Sequence, residues 1–485
     1  MSITTSLSNA LTGLTASSRA AELVSNNVAN AMTEGYGRRE IALGSRSAGG
    51  AGAGVRVAAV NRAVDEAVLR DRRLADAALG ERQTFSAALD RLGRLFGMPD
   101  DPASVTGRLA AFESSLVEAA SRPDSTVRLQ NALDAASGVA GTLNRISAGI
   151  QSERMAGDAE IARQVGSLGT TLVRIDELND TIVRLGGSGR DLTALLDQRQ
   201  QAVDLISEIV PLRVMPRQGG AVALYTAGGV ALLDGSPAEI SFAAVGVITP
   251  GMTMASGALS GIEINGRAVR TDGSFAPLGG GSLAAAFDVR DRIGPQVQSR
   301  IDALAREVIA RFQESAVDPT LTPGGAGLFT DRGLAFDPSD EEGLASRIST
   351  NPVAEPALGG DLWKLRAGLG ATDPGPVGDS ALLIRMADAA ADSRPPASAA
   401  VATANLSLSG LASEIQSLVL RDGFEAESEL GYASTRQAGL IALERRGGVD
   451  TDQEMQKLLL IEQTYAANAR VIQTIDTLIA RLLEI

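Results

Sequence analysis

The sequence predicts a mainly α, α+β protein: an elongated helical bundle or coiled coil built from both chain termini, with a β domain projecting from the middle. Three observations carry that expectation. The last stretch, residues 450–485, repeats apolar positions in steps of three and four, with no Gly or Pro to interrupt it. The first 28 residues repeat them in the same way. Between the two, at Pro211, helical periodicity gives way to short alternating runs and later returns.

Composition sets the outer bounds. A chain of 485 residues suggests two or three domains. Its hydrophobic share is 44% but only 3% is aromatic, which suits long helices better than an enzyme core with aromatic pockets. A net charge of -14 opposes contact with nucleic acid and with anionic membrane surfaces. Arginine supplies nearly all the basic charge, Lys364 and Lys457 being the only lysines.

Cysteine and histidine are both missing, so disulfides, thiolate or imidazole metal sites, and triads needing either group are excluded. Neither a cofactor nor catalytic or metal-binding residues are expected. No apolar run reaches membrane-spanning length, and the N-terminus carries no basic-then-apolar cleavable signal. The chain is therefore either cytosolic or exported by a route that leaves its N-terminus intact.

In chain order, the first helix lines up Ile3, Leu7, Ala10, Leu14, Ser17, Ala21, Val24 and Val28 on one seam. Asn30, Thr33, Gly35 and Gly37 then break it, with Tyr36 and Arg38 placed to anchor the turn or to meet a partner. Residues 44–54, rich in Gly, Ala and Ser, read as a loop or weak hairpin leading into Val55, Arg56 and Val57. A second long helix follows with Val64, Val68, Ala75, Ala78, Phe85, Leu89, Leu92 and Phe96 inward, ended by Gly97.

Asp101 and Pro102 cap the next helix, which turns Val105, Leu109, Phe112 and Leu116 inward until Pro123. Separate helices then carry Val139 to Ile150 and Ile161 to Ile182, and Asp191 caps another that stops at Pro211. Alternation at Val222, Leu224 and Thr226, and the tight-hairpin pair Asn265-Gly266, mark the β domain. Helix returns with Ile293, Val297, Ile301, Leu304, Val308 and Phe312. A Gly-, Pro- and Asp-rich stretch with the single tryptophan, Trp363, comes next, and residues 398–446 are helical again.

The final helix opens with Asp450 and Thr451 as cap residues and Gln453 and Glu454 at capping-box spacing. Its seam is Leu458, Ile461, Tyr465, Asn468, Ile472, Ile475, Ile479 and Leu482. At ~1.5 Å per residue it is roughly 50 Å long. Asn468 interrupts that seam, either to fix register or at a solvent edge. The two terminal seams pair with each other, with copies of the chain, or with both.

Chemistry is thin elsewhere. Gly279-Gly280-Gly281-Ser282 precedes a helix and could cradle a phosphate, but it lacks the lysine of a P-loop and serves equally as a connection. Most carboxylates sit on polar faces between seam positions, where solvation explains them.

Ser25-Asn26-Asn27-Val28-Ala29-Asn30, followed by Thr33 and Gly35-Tyr36, resembles the N-terminal signature of bacterial flagellar rod, hook and hook-associated proteins. Glu34 stands where that signature has a proline. Glu454-Met455 and then Tyr465-Ala466-Ala467-Asn468-Ala469-Arg470-Val471-Ile472 resemble the family's C-terminal signature. Leu195-Leu196-Asp197-Gln198-Arg199 with Val203-Asp204, Tyr225 to Gly229, and Gly324 to Phe329 are similar to the hook–filament junction members of that family.

The resemblance implies a structural role without catalysis, as a component of the bacterial flagellum at the junction of hook and filament. It implies paired terminal helices (1–45 and 450–485) as an inner core and a helical bundle (46–210, 286–318 and 397–449). The β domain is then 211–285, and 319–396 is an irregular Gly/Pro-rich insertion. Implied partners are further copies in a ring or helical layer, hook protein, the second hook–filament junction protein, and an export chaperone on the C-terminal helix. No nucleic acid and no membrane insertion is implied. Localisation would be extracellular, after type III export without a cleaved signal.

The implied assembly interface comprises Ile3, Leu7, Leu14, Val24, Val28, Asn30, Gly35 and Tyr36 at one end. At the other it comprises Leu458, Ile461, Tyr465, Asn468, Ile472, Ile475, Ile479 and Leu482. The alternatives are another axial subunit, hook or rod, or a carboxylate-based cell-wall hydrolase.

Overall fold

The computed structural model describes residues 3–48, 51–187, 190–273, 276–401 and 404–483. Helix α1 (Ile3–Ala29) runs into an antiparallel hairpin of β1 (Arg38–Ala48) and β2 (Ala51–Ala63). The pairing extends from Arg38 opposite Ala63 to Ala48 opposite Ala51. This corrects the loop or weak hairpin expected at 44–54. Small residues there have little strand propensity of their own, but α1 backs the hairpin, and Val55 N–H donates to Thr12 Oγ1 at 3.2 Å.

Helix α2 (Glu66–Phe96) starts on Asp65, whose carboxylate accepts from Ala67 N and Val68 N. Helix α3 (Val105–Ser121) starts three residues later than Asp101 suggested: Ser104 Oγ caps it by accepting from Gly107 N at 3.0 Å. A further correction concerns α4 (Thr126–Gly186). The two helices expected across 139–182 are one helix of 61 residues, ~90 Å long. A mid-helix glycine costs only about 1 kcal/mol, far less than α4 gains by lining two cores.

Helix α5 (Thr193–Ile209) follows, with Asp191 Oδ1 accepting from Thr193 N at 3.0 Å. Two three-stranded antiparallel sheets come next, β3 (Leu212–Pro216), β4 (Val222–Thr226) and β5 (Ala231–Leu233), then β6 (Ile240–Ser241), β7 (Ile262–Ile264) and β8 (Arg267–Val269). The β7–β8 turn is Asn265-Gly266, with φ of 51° and 72°, as the dipeptide predicts.

Helix α6 (Gly281–Asp288) joins α7 (Gly294–Gln313) through one π turn. Strands β9 (Phe329–Asp331) and β10 (Ile348–Thr350) pair, and the short α8 (Lys364–Ala367) and α9 (Ala381–Ala391) follow. Helix α10 (Leu408–Gly447) is capped by Ser407 rather than beginning near 398, and α11 (Thr451–Leu483) closes the chain. The fold is thus mainly α, with small sheets in the middle and long terminal helices packed together.

Two apolar cores divide α4 between them. The first joins α3, the first half of α4, α7, α9 and the start of α10, and it includes Leu328, Phe329, Leu344 and Ile348 from the irregular stretch. The second joins the later part of α4 with α5, α6 and the two sheets. Among the described residues, no helix is long and apolar enough to cross a membrane.

Candidate assembly interface

Helices α1 and α11 lie against each other in antiparallel register, a contact that joins the two ends of the chain. On α1 the structure buries Val24 and half-buries Ile3, Leu7, Leu14 and Val28. On α11 it buries Ile475 and half-buries Leu458, Ile461, Asn468, Ile472 and Ile479. Tyr465 and Leu482, at the edge of that seam, stay 44% and 60% exposed. The seam residues therefore meet one another, with these two left at the uncovered margin.

The N-terminal signature has a specific chemical job that periodicity alone did not reveal. Asn27 is buried where α1, the hairpin and α11 meet. Its Nδ2 donates to Arg39 O at 2.9 Å and to Glu454 Oε2 at 3.0 Å. Its Oδ1 accepts from Tyr36 Oη and from Arg39 N, both at 2.9 Å. One amide thus satisfies four groups on three elements, which is why this position requires a planar donor–acceptor side chain.

Glu454 is not a capping-box residue reaching back to its own helix start. Asp450 caps α11 alone, accepting from Asp452 N at 3.0 Å and Gln453 N at 3.1 Å. Glu454, 1% exposed, turns instead to Asn27 and to Lys457 Nζ at 2.6 Å. A buried carboxylate needs such partners.

The turn after α1 is fixed by α5. Asn30 Nδ2 closes the helix end on Asn26 O at 2.9 Å. Gly35, at φ +75°, approaches Gln201 so closely that a Cβ would fall 2.6 Å from its Cγ. Glu34 contributes its carbonyl, which accepts from Gln201 Nε2 at 2.7 Å, so the turn holds without a proline there. Asp197 then gathers the hairpin: its Oδ1 accepts from Gly37 N at 3.0 Å and Arg62 Nε at 2.6 Å, and its Oδ2 from Arg39 Nη2 at 3.4 Å.

Tyr36 sits between these two carboxylates, with the Arg39 guanidinium 5.0 Å over its ring. Burial pushes its hydroxyl above the ordinary range; Arg39 opposes this, and Asp197 and Glu454 add to it. Asn27, Arg39, Arg62, Asp197 and Glu454 are the residues of this junction within the chain that seam spacing missed. The signal was available, since Asn27, Asp197 and Glu454 all lie inside the motifs. Pairing them, however, takes contacts between positions hundreds of residues apart.

What this arrangement can do is mechanical: it locks both chain ends and a hairpin to one end of the bundle. Among the described residues no cluster of His, Cys, Asp or Glu could hold a metal ion.

Comparison with known proteins bears on the same regions. Residues 89–318 match the family described as flagellar hook-associated protein FlgK helical domain. Residues 446–485 match the family described as flagellar basal body rod FlgEFG protein C-terminal. Flagellar hook-associated protein 1 of Bacillus subtilis is 24% identical, covering 98% of this chain and 97% of its own length. The protein of the same name from Escherichia coli is 24% identical over 71% of this chain and 69% of its own. That of Salmonella typhimurium is 29% identical over 48% and 43%. A solved flagellar hook junction protein, from Burkholderia pseudomallei, aligns at 17% identity and TM-score 0.43 over 54% of this chain and 46% of that one. Along nearly its whole length, then, the chain is similar to a protein named flagellar hook-associated protein 1.

Proposed function

We propose that this chain is a structural component of the bacterial flagellum that joins hook to filament and enters their helical lattice through its terminal helices. One observation carries the reading. Helix α11 has two apolar stripes, and α1 covers only one. The other, Leu460, Val471 and Leu478, stays 67%, 45% and 47% exposed. A second apolar face on a helix already packed on one side is what a subunit needs to pack against further helices.

On this reading the terminal helices, 1–45 and 450–485, form the inner layer and meet further copies in a ring or helical layer. The bundle and the 211–285 region lie outside them. Hook protein binds on one side and the second junction protein on the other. An export chaperone covers the C-terminal helix before assembly, as helix-in-groove recognition allows. The chain leaves the cell by type III export without a cleaved signal, and the role involves no catalysed reaction. A hook or rod subunit is the alternative, favoured only by the rod-type match at 446–485.

The test is Leu478→Asp, which charges the uncovered stripe and leaves the α1 contact alone. The purified variant is expected to keep the circular dichroism of the parent. Cells relying on it are expected to shed filaments from their hooks, as counted by electron microscopy. Filaments attached at parental numbers would sink the proposal.

A further inference from the structure

Helix α1 carries a glycine, Gly13, on its buried side. A glycine inside a helix costs about 0.5–1 kcal/mol relative to alanine, and this one is in ordinary helical conformation, so backbone freedom does not explain it. The space above it does. A Cβ built on Gly13 would lie 2.8 Å from Nδ2 and 2.9 Å from Oδ1 of Asn468. Asn468 is the polar interruption in the α11 seam, and its amide occupies the hollow that the glycine leaves.

A second contact shows the register to be exact in step. Asn27 binds Glu454 at 3.0 Å. From Asn27 to Gly13 is 14 residues, and from Glu454 to Asn468 is also 14. The antiparallel helices therefore stay in phase across about two heptads between the ties. One turn to either side, α1 presents Ala10 and Ser17, each with a Cβ where Gly13 has none.

The preceding residue of α1 does the same toward the hairpin. Thr12 Oγ1 donates to Asn9 O at 2.9 Å and accepts from Val55 N at 3.2 Å. A Cβ on Gly54, at φ +95°, would fall 2.1 Å from that hydroxyl. At one level of α1, then, Thr12 receives the hairpin and Gly13 receives α11.

We propose that Gly13 and Asn468 are the residues that set the register of the terminal helix pair: a hollow and the amide that fills it, admitting one alignment and excluding those one turn away. The consequence for assembly rests on the junction reading, because only a fixed register presents the uncovered α11 stripe at one height in every subunit. The lock itself does not depend on that reading.

The chain has no native cysteine, so engineered pairs report register without background. In the full-length chain, Ala10→Cys with Ile472→Cys samples the native alignment, and Ala10→Cys with Asp476→Cys samples one slipped by about a turn. Oxidation is expected to cross-link the first pair at least about tenfold more than the second. Adding Gly13→Ala should abolish that preference, although helix propensity alone predicts that alanine improves α1. Adding Asn468→Ala to Gly13→Ala should restore it.

A preference untouched by Gly13→Ala, a failure of Asn468→Ala to rescue, or no cross-link in either pair would each overturn the lock. If the lock behaves as expected but Gly13→Ala cells keep their filaments attached, the lock stands and the junction reading loses its support.

Discussion

The two long helices α7 and α11 make opposite use of the same kind of sequence. Fourteen of the 20 residues of α7 are buried. Of the 33 residues of α11, only Glu454 and Ile475 are. Both carry apolar positions in steps of three and four, so periodicity does not separate them. What separates them is how many neighbours the single chain supplies. Helix α7 is surrounded by α4, α9, α10 and the 319–350 stretch, whereas α11 leans chiefly on α1. The bundle buries its own apolar faces, whereas the terminal pair leaves apolar residues of α11 uncovered.

The comparison breaks most readily in the first core. Phe112 on α3, Phe312 on α7 and Phe329 on β9 meet in a three-ring cluster with centroids 5.4–5.5 Å apart. All three are fully buried. Phe312→Ala is expected to destabilise the bundle by about 3–5 kcal/mol through lost burial and the cavity left behind. Urea unfolding, followed by circular dichroism, checks this. A cost below about 1 kcal/mol would mean that the bundle, too, is loosely held.

Next in size is a pH effect confined to the bundle. Asp302 of α7 accepts from Gly343 N and Ala345 N, each at 2.8 Å, and from Gln298 Nε2 at 2.9 Å. These bonds favour the carboxylate, but burial outweighs them and pushes its pKa up from 3.8 to about 6. The folded chain therefore holds this proton more tightly than the unfolded chain. The stability it contributes is complete below pH 3.8 and is lost as pH rises through about 6. A gap of that size corresponds to about 3 kcal/mol. Relative to Asp302→Asn, the parent's unfolding free energy should fall by about 2.4 kcal/mol between pH 4 and pH 7. A constant difference would refute it.

The same contrast explains what could be read from the sequence. Seams at Ile461, Ile472 and Ile475, the Asn265-Gly266 turn and the Asp450 cap are local patterns, and each stands where its residues suggested. The hairpin at 38–63 was hidden because Gly44, Gly52 and Gly54 look like loop residues. Their pairing is supported by α1, a contact outside any local window.

Missing the hairpin also hid half of the buried face of α1. Ala16, Leu23 and Asn27 lie off the seam yet are buried, because α1 packs on two partners rather than one. Asp197 and Glu454 stood inside recognisable motifs. Their meeting with Arg62 and Asn27 depends on tertiary contacts spanning 135 and 427 residues. The 319–396 stretch read as an irregular insertion because its elements are short, but Phe329, Leu344, Ile348, Leu382 and Met386 make it part of the first core.

The smallest expected effect sharpens the comparison most. Leu460 belongs to the uncovered stripe of α11 and is 67% exposed. In the isolated chain, Leu460→Ser should change unfolding by no more than about 0.5 kcal/mol, the usual range for a surface substitution. The same apolar-to-polar replacement at Leu304 of α7, which is fully buried, removes a side chain from the core and should cost several times more. A Leu460→Ser cost above about 1 kcal/mol at micromolar protein would require that another surface already covers the stripe. Dilution would then decide which surface. A cost that vanishes as the protein is diluted points to a second copy, and one that persists points to a fold within the chain that buries α11 on both sides. Only the second outcome removes the distinction between a bundle that completes itself and a terminal pair that does not.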